Sequence, residues 1–270
     1  MLEINTICKT FNPGTPNEVR SLQSVDVLVE EGSFVVIIGT NGSGKTTLLN
    51  AVAGTFLVDS GTIHLADTNM THWPEHRRAS FIGRVFQNPF SGTAPSMTIA
   101  ENLALATKRG QPRRLGWALP RTMQSEFRER IRTLNMGLED RLDNPIGSLS
   151  GGQRQALTLL MATWLKPKLL LLDEHTAALD PKSADQVIRL SDEIISRERL
   201  TTMMVTHSMP QATHLGDRLI MMHRGRIIHD FRGAEKSRLR VNELLDRFEE
   251  VRRSDQLDES AAELLRAAYV

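Results

Sequence analysis

Apolar residues follow two rhythms along the chain. Leu2, Ile4 and Cys8 take alternating positions, as do Val25, Val27 and Val29 around Asp26, which predicts half-buried strands. Phe34-Val35-Val36-Ile37-Ile38 and Leu169-Leu170-Leu171-Leu172 are unbroken apolar runs, and Thr201 to Thr206 reads as another buried strand. Such runs predict strands buried on both faces, as in a parallel sheet. Asp59-Ser60-Gly61 turns the chain into another strand through Leu65, and Ile82 to Phe86 is a short strand before Pro89. Helical spacing appears at Leu48 to Ala53, which stops at Gly54, and then dominates from about Met97 to Trp164. There Ile99, Asn102, Leu103 and Ala106 share a face, and so do Phe127, Ile131 and Leu134. A further helix is expected from about Ser183 to Arg197, carrying Val187, Leu190 and Ile194 on one side. Arg218 to His223 and Arg226 to Phe231 flank Arg224-Gly225 as a hairpin. Val241, Leu244, Leu245 and Phe248 form a helical stripe in the tail, and Leu257, Ala261, Leu264 and Leu265 form another.

With 270 residues the chain is long enough for one large domain or two small ones, and 40% hydrophobic content supports a globular core. A formal net charge of +1 gives no general attraction for nucleic acid. Cys8 is the only cysteine, so no intrachain disulfide forms. No apolar run approaches the roughly 20 residues that span a bilayer, and Met1-Leu2-Glu3-Ile4-Asn5 lacks the pattern of a signal peptide. The expectation is a cytosolic protein whose contact with a membrane comes through a partner.

The densest chemistry lies in Gly39-Thr40-Asn41-Gly42-Ser43-Gly44-Lys45-Thr46-Thr47, between a buried strand and a helix. This order is the setting of a G-x-x-x-x-G-K-[ST] phosphate loop. Glycines let the backbone approach a ligand closely, and amide N–H groups at the helix start favour an anion. Lys45 is placed to reach β- and γ-phosphates and the Thr46 hydroxyl to take a Mg²⁺ position. Ser150 is a candidate N-cap whose following Gly151 and Gly152 leave a second helix start open to an anion. The apolar run ending in Asp173-Glu174 delivers two carboxylates to the end of a buried strand, where ligands of open parallel sheets bind. Two buried carboxylates need a cation, and a Mg²⁺-nucleotide supplies one. Phe11 reads as packing by position and is also able to stack on a base. His72, Trp73, Pro74, His76, Arg77 and Arg78 read as a surface patch. Lys108, Arg109, Arg113 and Arg114 read as a solvated basic loop that faces anionic headgroups in a membrane setting.

Five separated pieces, in order, resemble one family. The phosphate loop, Gln87, Leu149-Ser150-Gly151-Gly152-Gln153, the strand ending Asp173-Glu174, and His207 resemble the motifs of ATP-binding-cassette (ABC) ATPases. The likeness spans residues 11 to 231. Gly137 to Leu142, Asp173 to Pro181 and Met204 to His207 further resemble a group of bacterial importer ATPases linked to amino-acid-like solutes. The resemblance implies an α/β P-loop NTPase: a RecA-like core with an antiparallel β subdomain, and an inserted helical subdomain. It implies one ABC ATPase domain over residues 1–270, with an ATP-binding core at 1–89 and 166–232, a helical signature subdomain at 90–165 and a helical extension at 233–270.

The same resemblance implies roles by position. Gly39, Asn41, Gly42, Ser43, Gly44, Lys45, Thr46 and Thr47 would hold ATP, and Phe11 would stack on its adenine, where many relatives carry tyrosine. Gln87 would bind Mg²⁺ or the attacking water and report to a permease. Asp173 would orient the Mg²⁺ shell, Glu174 would polarise water, and His207 would touch the γ-phosphate and hold Glu174. Ser150, Gly151, Gly152 and Gln153 would grip ATP bound to a second copy, and Asp180 would contact the facing phosphate loop. His175 departs from the proline usual after the glutamate, which alters the next loop without removing a reacting group. The implied partners are a second copy of the chain, integral-membrane permease subunits and, through them, an extracytoplasmic substrate-binding protein, at the cytoplasmic face of the inner membrane; nucleic acid is not among them. Importers and exporters share these motifs, and the lack of a fused membrane segment favours an importer. A DNA-repair ABC ATPase would carry a long coiled coil and a translation-associated one two cassettes. A non-catalytic scaffold is disfavoured by the presence of Lys45, Asp173, Glu174 and His207 together.

Overall fold

The computed structural model of the chain describes residues 1–110, 121–251 and 253. Strands β1 (Leu2–Phe11) and β2 (Val19–Val29) pair antiparallel, and β4 (Ser60–Leu65) and β5 (Thr68–Asn69) complete a four-stranded sheet in the order β2-β1-β4-β5. The alternation expected from Leu2, Ile4 and Cys8 breaks in the middle of β1. Thr6 has φ +46° and the ladder slips between Ile4 and Ile7, so Ile7 is buried and Cys8 is only half-buried. One extra residue in a bulge moves the apolar set by one position.

The second sheet is built around β3 (Phe34–Gly39). Chain order continues with α1 (Lys45–Ala53), α2 (Glu75–Arg78), β6 (Ile82–Val85), α3 (Ile99–Thr107), α4 (Arg121–Arg132), α5 (Gly151–Thr163), β7 (Leu169–Asp173), α6 (Pro181–Glu198), β8 (Thr202–Val205), α7 (Met209–His214), β9 (Arg218–His223), β10 (Arg226–Arg232) and α8 (Gly233–Arg238). Its strand order is β10-β9-β3-β8-β7-β6, parallel throughout except for the β9–β10 hairpin. Strands buried on both faces need no polar alternation, which is why β3 and β7 read as continuous apolar runs.

The pleat divides the core. Val35 and Ile37 of β3 with Leu169 and Leu171 of β7 face α1 and the antiparallel sheet, where Leu48, Leu49, Val52, Ile4 and Ile63 join them. Val36, Ile38, Leu170 and Leu172 face the other way, and the apolar residues of α3, α4 and α5 join that same cluster. Burial of these side chains, each worth about 1.5–3 kcal/mol, holds the phosphate loop between two packed layers. Leu244 in the helical stretch 241–251 is fully buried and Phe248 packs on the core, whereas Leu245 is exposed, so the tail stripe is narrower than the sequence pattern suggests. The second tail stripe, Leu257, Ala261, Leu264 and Leu265, lies outside the described residues.

Two arginines depart from the surface reading. Arg78 is buried, and its guanidinium donates to the carbonyls of Ala51 and Val52 at the end of α1, and to Trp73 O and Thr71 O. The last carbonyls of a helix lack backbone partners and carry negative partial charge, so a cation there is favoured. Burial nevertheless pushes the Arg78 guanidinium down to about 10. Arg109 turns inward and donates to Ala162 O at 3.0 Å, so it does not face headgroups. Arg113 and Arg114 lie outside the described residues. No helix among the described residues is long and apolar enough to cross a membrane.

Candidate functional site

The loop between β3 and α1 is shaped by glycine. Gly39 and Gly44 have φ of +159° and +96°, and a Cβ at either would sit 2.2 Å from Met222 O and 2.4 Å from Ser21 O. Around a Cβ at Gly42, by contrast, no atom lies within 4 Å. The loop is therefore pressed against protein on one side and open on the other. It is pinned from the β9–β10 hairpin, where Gly225 N–H donates to Ser43 O at 3.0 Å and His223 Nδ1 lies 3.2 Å from Thr40 Oγ1. Lys45 folds over the loop and donates to Gly39 O and Thr40 O, each at 3.0 Å. Burial lowers its pKa, while Glu174 and Asp173 pull it back up. Thr47 Oγ1 lies 2.7 Å from Ser21 Oγ of β2.

The carboxyl end of β7 lies beside this loop. The Thr46 hydroxyl donates to Asp173 Oδ1 at 3.3 Å. Asp173 is buried, and that burial raises its pKa against the downward pull of Arg84. One residue on, Glu174 leaves the sheet with φ +45°, its N–H held by Val205 O at 3.0 Å. Its Oε1 lies 2.6 Å from His207 Nε2, which projects from the end of β8. The parallel pairing of β7 with β8 sets this meeting, because Asp173 stands in register with Val205.

The residues fit a Mg²⁺-nucleotide. Ser43 Oγ is buried in the loop without a hydrogen-bond partner, and an acceptor-rich phosphate would satisfy it. Thr46 and Asp173 form an all-oxygen donor pair of the kind a hard divalent cation takes. Phe11 packs edge-on to Phe56 at 5.3 Å, with Lys9 Nζ about 5.6 Å above its ring. The packing reading of Phe11 is met by this edge contact, and the residue remains partly exposed.

Other expected residues stand apart from this cluster. Ser150 caps α5 in a reciprocal box with Gln153, each side chain accepting from the other's N–H at 3.3 Å. Gly152 is packed so that a Cβ would lie 2.9 Å from Ser183 Cβ, and Gly151 is exposed. Among the described residues no hydrogen bond or ion pair joins Ser150, Gly151, Gly152 or Gln153 to the phosphate loop of the same chain. Asp180 caps α6, accepting from Ser183 N at 3.1 Å with Pro181 at the first helical position, so the helix starts two residues before Ser183. Gln87 is exposed in the loop after β6. Arg84, three residues earlier, is the side chain from that strand that reaches Asp173, at 3.7 Å. It is also braced by Asn50 Oδ1, by Thr55 Oγ1 at 3.1 Å and by the face of Phe86. Nothing in its local sequence distinguishes it from a solvated arginine.

The sequence pattern of the ABC transporter family matches residues 22–177. The chain belongs to that family. It is 45% identical over 251 residues to a tyrosine transport ATP-binding protein of Clostridioides difficile, covering 92% of this chain and 99% of that protein. It is 32% identical to a lipoprotein-releasing system ATP-binding protein of Caulobacter vibrioides over 82% of this chain and 92% of that one. Among solved structures, a dimeric ATP-binding cassette in a post-hydrolysis state bound to ADP and Pi aligns with a TM-score of 0.73 at 25% identity, over 86% of this chain and 98% of that chain. The fold is the P-loop ABC ATPase fold, and the chain is the ATP-binding, ATP-hydrolysing subunit of an ABC transporter.

Proposed function

We propose that two copies of this chain close around two ATP molecules to drive import of an amino-acid-like solute through separate permease subunits at the cytoplasmic face of the inner membrane. The observation that carries the catalytic part is the Glu174–His207 pair, 2.6 Å apart at the ends of neighbouring parallel strands beside the phosphate loop. Glu174 would accept the proton of the attacking water as its oxygen bonds to the γ-phosphorus and the bond to the ADP oxygen breaks. His207 would hold that carboxylate in line. Backbone amides of Gly42 to Thr46, with Lys45 swung from the loop carbonyls, would bind the phosphates. Phe11 would stack on the adenine. Mg²⁺, held through Thr46 and Asp173 with Gln87 in its shell, would neutralise charge on the β- and γ-oxygens.

The second copy enters because, among the described residues, no hydrogen bond or ion pair joins Ser150 to Gln153 to the phosphate loop of their own chain. Capped by Ser150 and open at Gly151, the start of α5 would meet the γ-phosphate on the facing copy, with Asp180 touching the facing loop. The division into a core at 1–89 and 166–232, a helical signature part at 90–165 and an extension at 233–270 is part of the proposal, the helical part being the surface offered to the permease. The likeness to a tyrosine transport ATP-binding protein, at 45% identity, supports tyrosine or a related amino acid as solute. An extracytoplasmic binding protein would deliver it to the permease. Cells carrying Glu174→Gln in place of the wild-type chain test this: uptake of labelled tyrosine and related amino acids should fall to that of cells lacking the chain. Unchanged uptake of every amino acid, with ATP hydrolysis lost, would overturn the solute assignment.

A further inference from the structure

His175 follows Glu174 directly and is 1% exposed. Its Nε2 lies 2.9 Å from Ser191 Oγ on α6, and the single Ser191 proton is already given to Val187 O at 2.8 Å. With Nε2 protonated, both contacts of the Ser191 hydroxyl are satisfied at once, Nε2–H donating to Oγ and the hydroxyl to Val187 O, and Nδ1 is then a bare acceptor. Nδ1 is buried and has no hydrogen-bond partner. A purely packing residue of similar size would fill this space without leaving a polar atom unsatisfied. The ring is thus placed for one directional bond, to Ser191, at the expense of its other nitrogen.

We infer that His175 is a positioning residue for ATP hydrolysis, its ring tying the backbone that carries Glu174 to helix α6 through Ser191. The inference rests on the reading of Glu174 as the group that takes the proton from water. The β7 ladder ends at Asp173, so Glu174 is already outside it, at φ +45°. A non-glycine residue in that region holds only where its surroundings fix it. Upstream, the N–H of Glu174 is bonded to Val205 O. Downstream, its carbonyl accepts from Ala177 N at 2.9 Å within a turn, and the first side chain anchoring that turn to the core is His175. Glu174, His175 and His207 line one cavity of about 240 Å³, so slack in the turn is free to move the carboxylate relative to His207. Ser191 also stands on the helix that Asp180 caps, so one rigid element carries both ends of the segment from Glu174 to Asp180.

The test compares Ser191→Ala, His175→Leu and His175→Gln in the purified full-length chain, with Glu174→Gln as reference. Ser191→Ala removes the acceptor and nearly no volume. His175→Leu keeps the filling and removes the bond. His175→Gln places an amide nitrogen near the position of Nε2. Ser191→Ala and His175→Leu should each lower kcat by roughly 10-fold or more, as small misplacements of catalytic groups do, with KM for ATP within about twofold. The double variant should be no worse than either single one, and His175→Gln should recover most of the loss. Wild-type kcat in Ser191→Ala or His175→Leu, whatever the change in Tm, would overturn the inference, and so would a loss that His175→Gln does not rescue. Near-normal hydrolysis by Glu174→Gln would instead overturn the reading on which the inference rests.

Discussion

The Arg84 guanidinium lies 3.7 Å from Asp173 Oδ2, across a site that otherwise gathers Asp173 and Glu174 at the end of one buried strand. Burial pushes the Asp173 carboxyl up, and Arg84 is the largest influence pulling it down. Arg84→Met removes that pull and keeps most of the side-chain volume, so the Asp173 pKa should rise further. A carboxyl must be ionised to hold Mg²⁺. The acid limb of the pH–rate profile for Mg²⁺-ATP hydrolysis should therefore move to higher pH in Arg84→Met, while the rate well above that limb changes little. An unmoved limb would show that Arg84 serves packing on Phe86 and not the charge of Asp173.

Phe11→Ala should weaken ATP binding by about 1–3 kcal/mol, the range for stacking of one base on an aromatic ring. Maximal hydrolysis should be nearly unchanged, because the ring is remote from the γ-phosphate. Phe11→Tyr should bind as the wild type does. Titration with ATP gives the affinity and saturating turnover gives kcat. Unaltered affinity in Phe11→Ala would leave this ring to packing against Phe56 and Lys9.

What the sequence made legible follows from how local each cause is. Val35 to Ile38 and Leu169 to Leu172 stand out because a strand buried on both faces has no polar positions to disguise it. The phosphate loop is legible because its glycines, Lys45 and Thr46 stand at fixed spacing in one short stretch between a strand and a helix, although the contacts that press Gly39 and Gly44 come from Met222 and Ser21. The apolar face of α6 begins only at Val187, so its spacing puts the start near Ser183, whereas the Asp180 cap and Pro181 set it two residues earlier. Arg78 and Arg84 were hidden for another reason: their partners, the α1 carbonyls and Asp173, are supplied only when distant segments meet. Cys8 and Ile7 exchanged roles because the bulge at Thr6 leaves no apolar or polar signature. The role of His175 was likewise invisible, since Ser191 lies sixteen residues further on.

The buried ring of His175 gives the fold an acid sensitivity of its own. Burial depresses its pKa from the ordinary histidine value to about 4. The unfolded chain therefore binds this proton more readily than the folded one between about pH 6.5 and 4, and stability must fall as pH drops through that window. The slope is at most about 1.4 kcal/mol per pH unit for one group. His175→Gln has no ring to protonate and should lack this component. Denaturant unfolding from pH 7 to 4.5 should show the wild-type stability converging on that of His175→Gln, or falling below it, as pH falls. A difference that stays constant across that range would mean that the ring is solvated in the folded protein.

Glu174→Gln should separate binding from hydrolysis. The amide keeps the size and one acceptor oxygen, so the contact with His207 persists through a neutral partner, but it cannot take a proton from water. Loss of a general base lowers turnover by roughly 10²–10⁴-fold. The groups proposed to bind phosphate, from Gly42 to Thr46, are untouched, so affinity for ATP should remain. Two uncleaved ATP molecules between two copies would then hold the pair together, and light scattering with Mg²⁺-ATP should report about twice the mass found without nucleotide. The wild-type chain should show less of the larger species under the same conditions, because hydrolysis opens it. Hydrolysis near the wild-type rate in the purified variant would remove Glu174 from the catalytic role, and the proton would then have to leave through another group of the site.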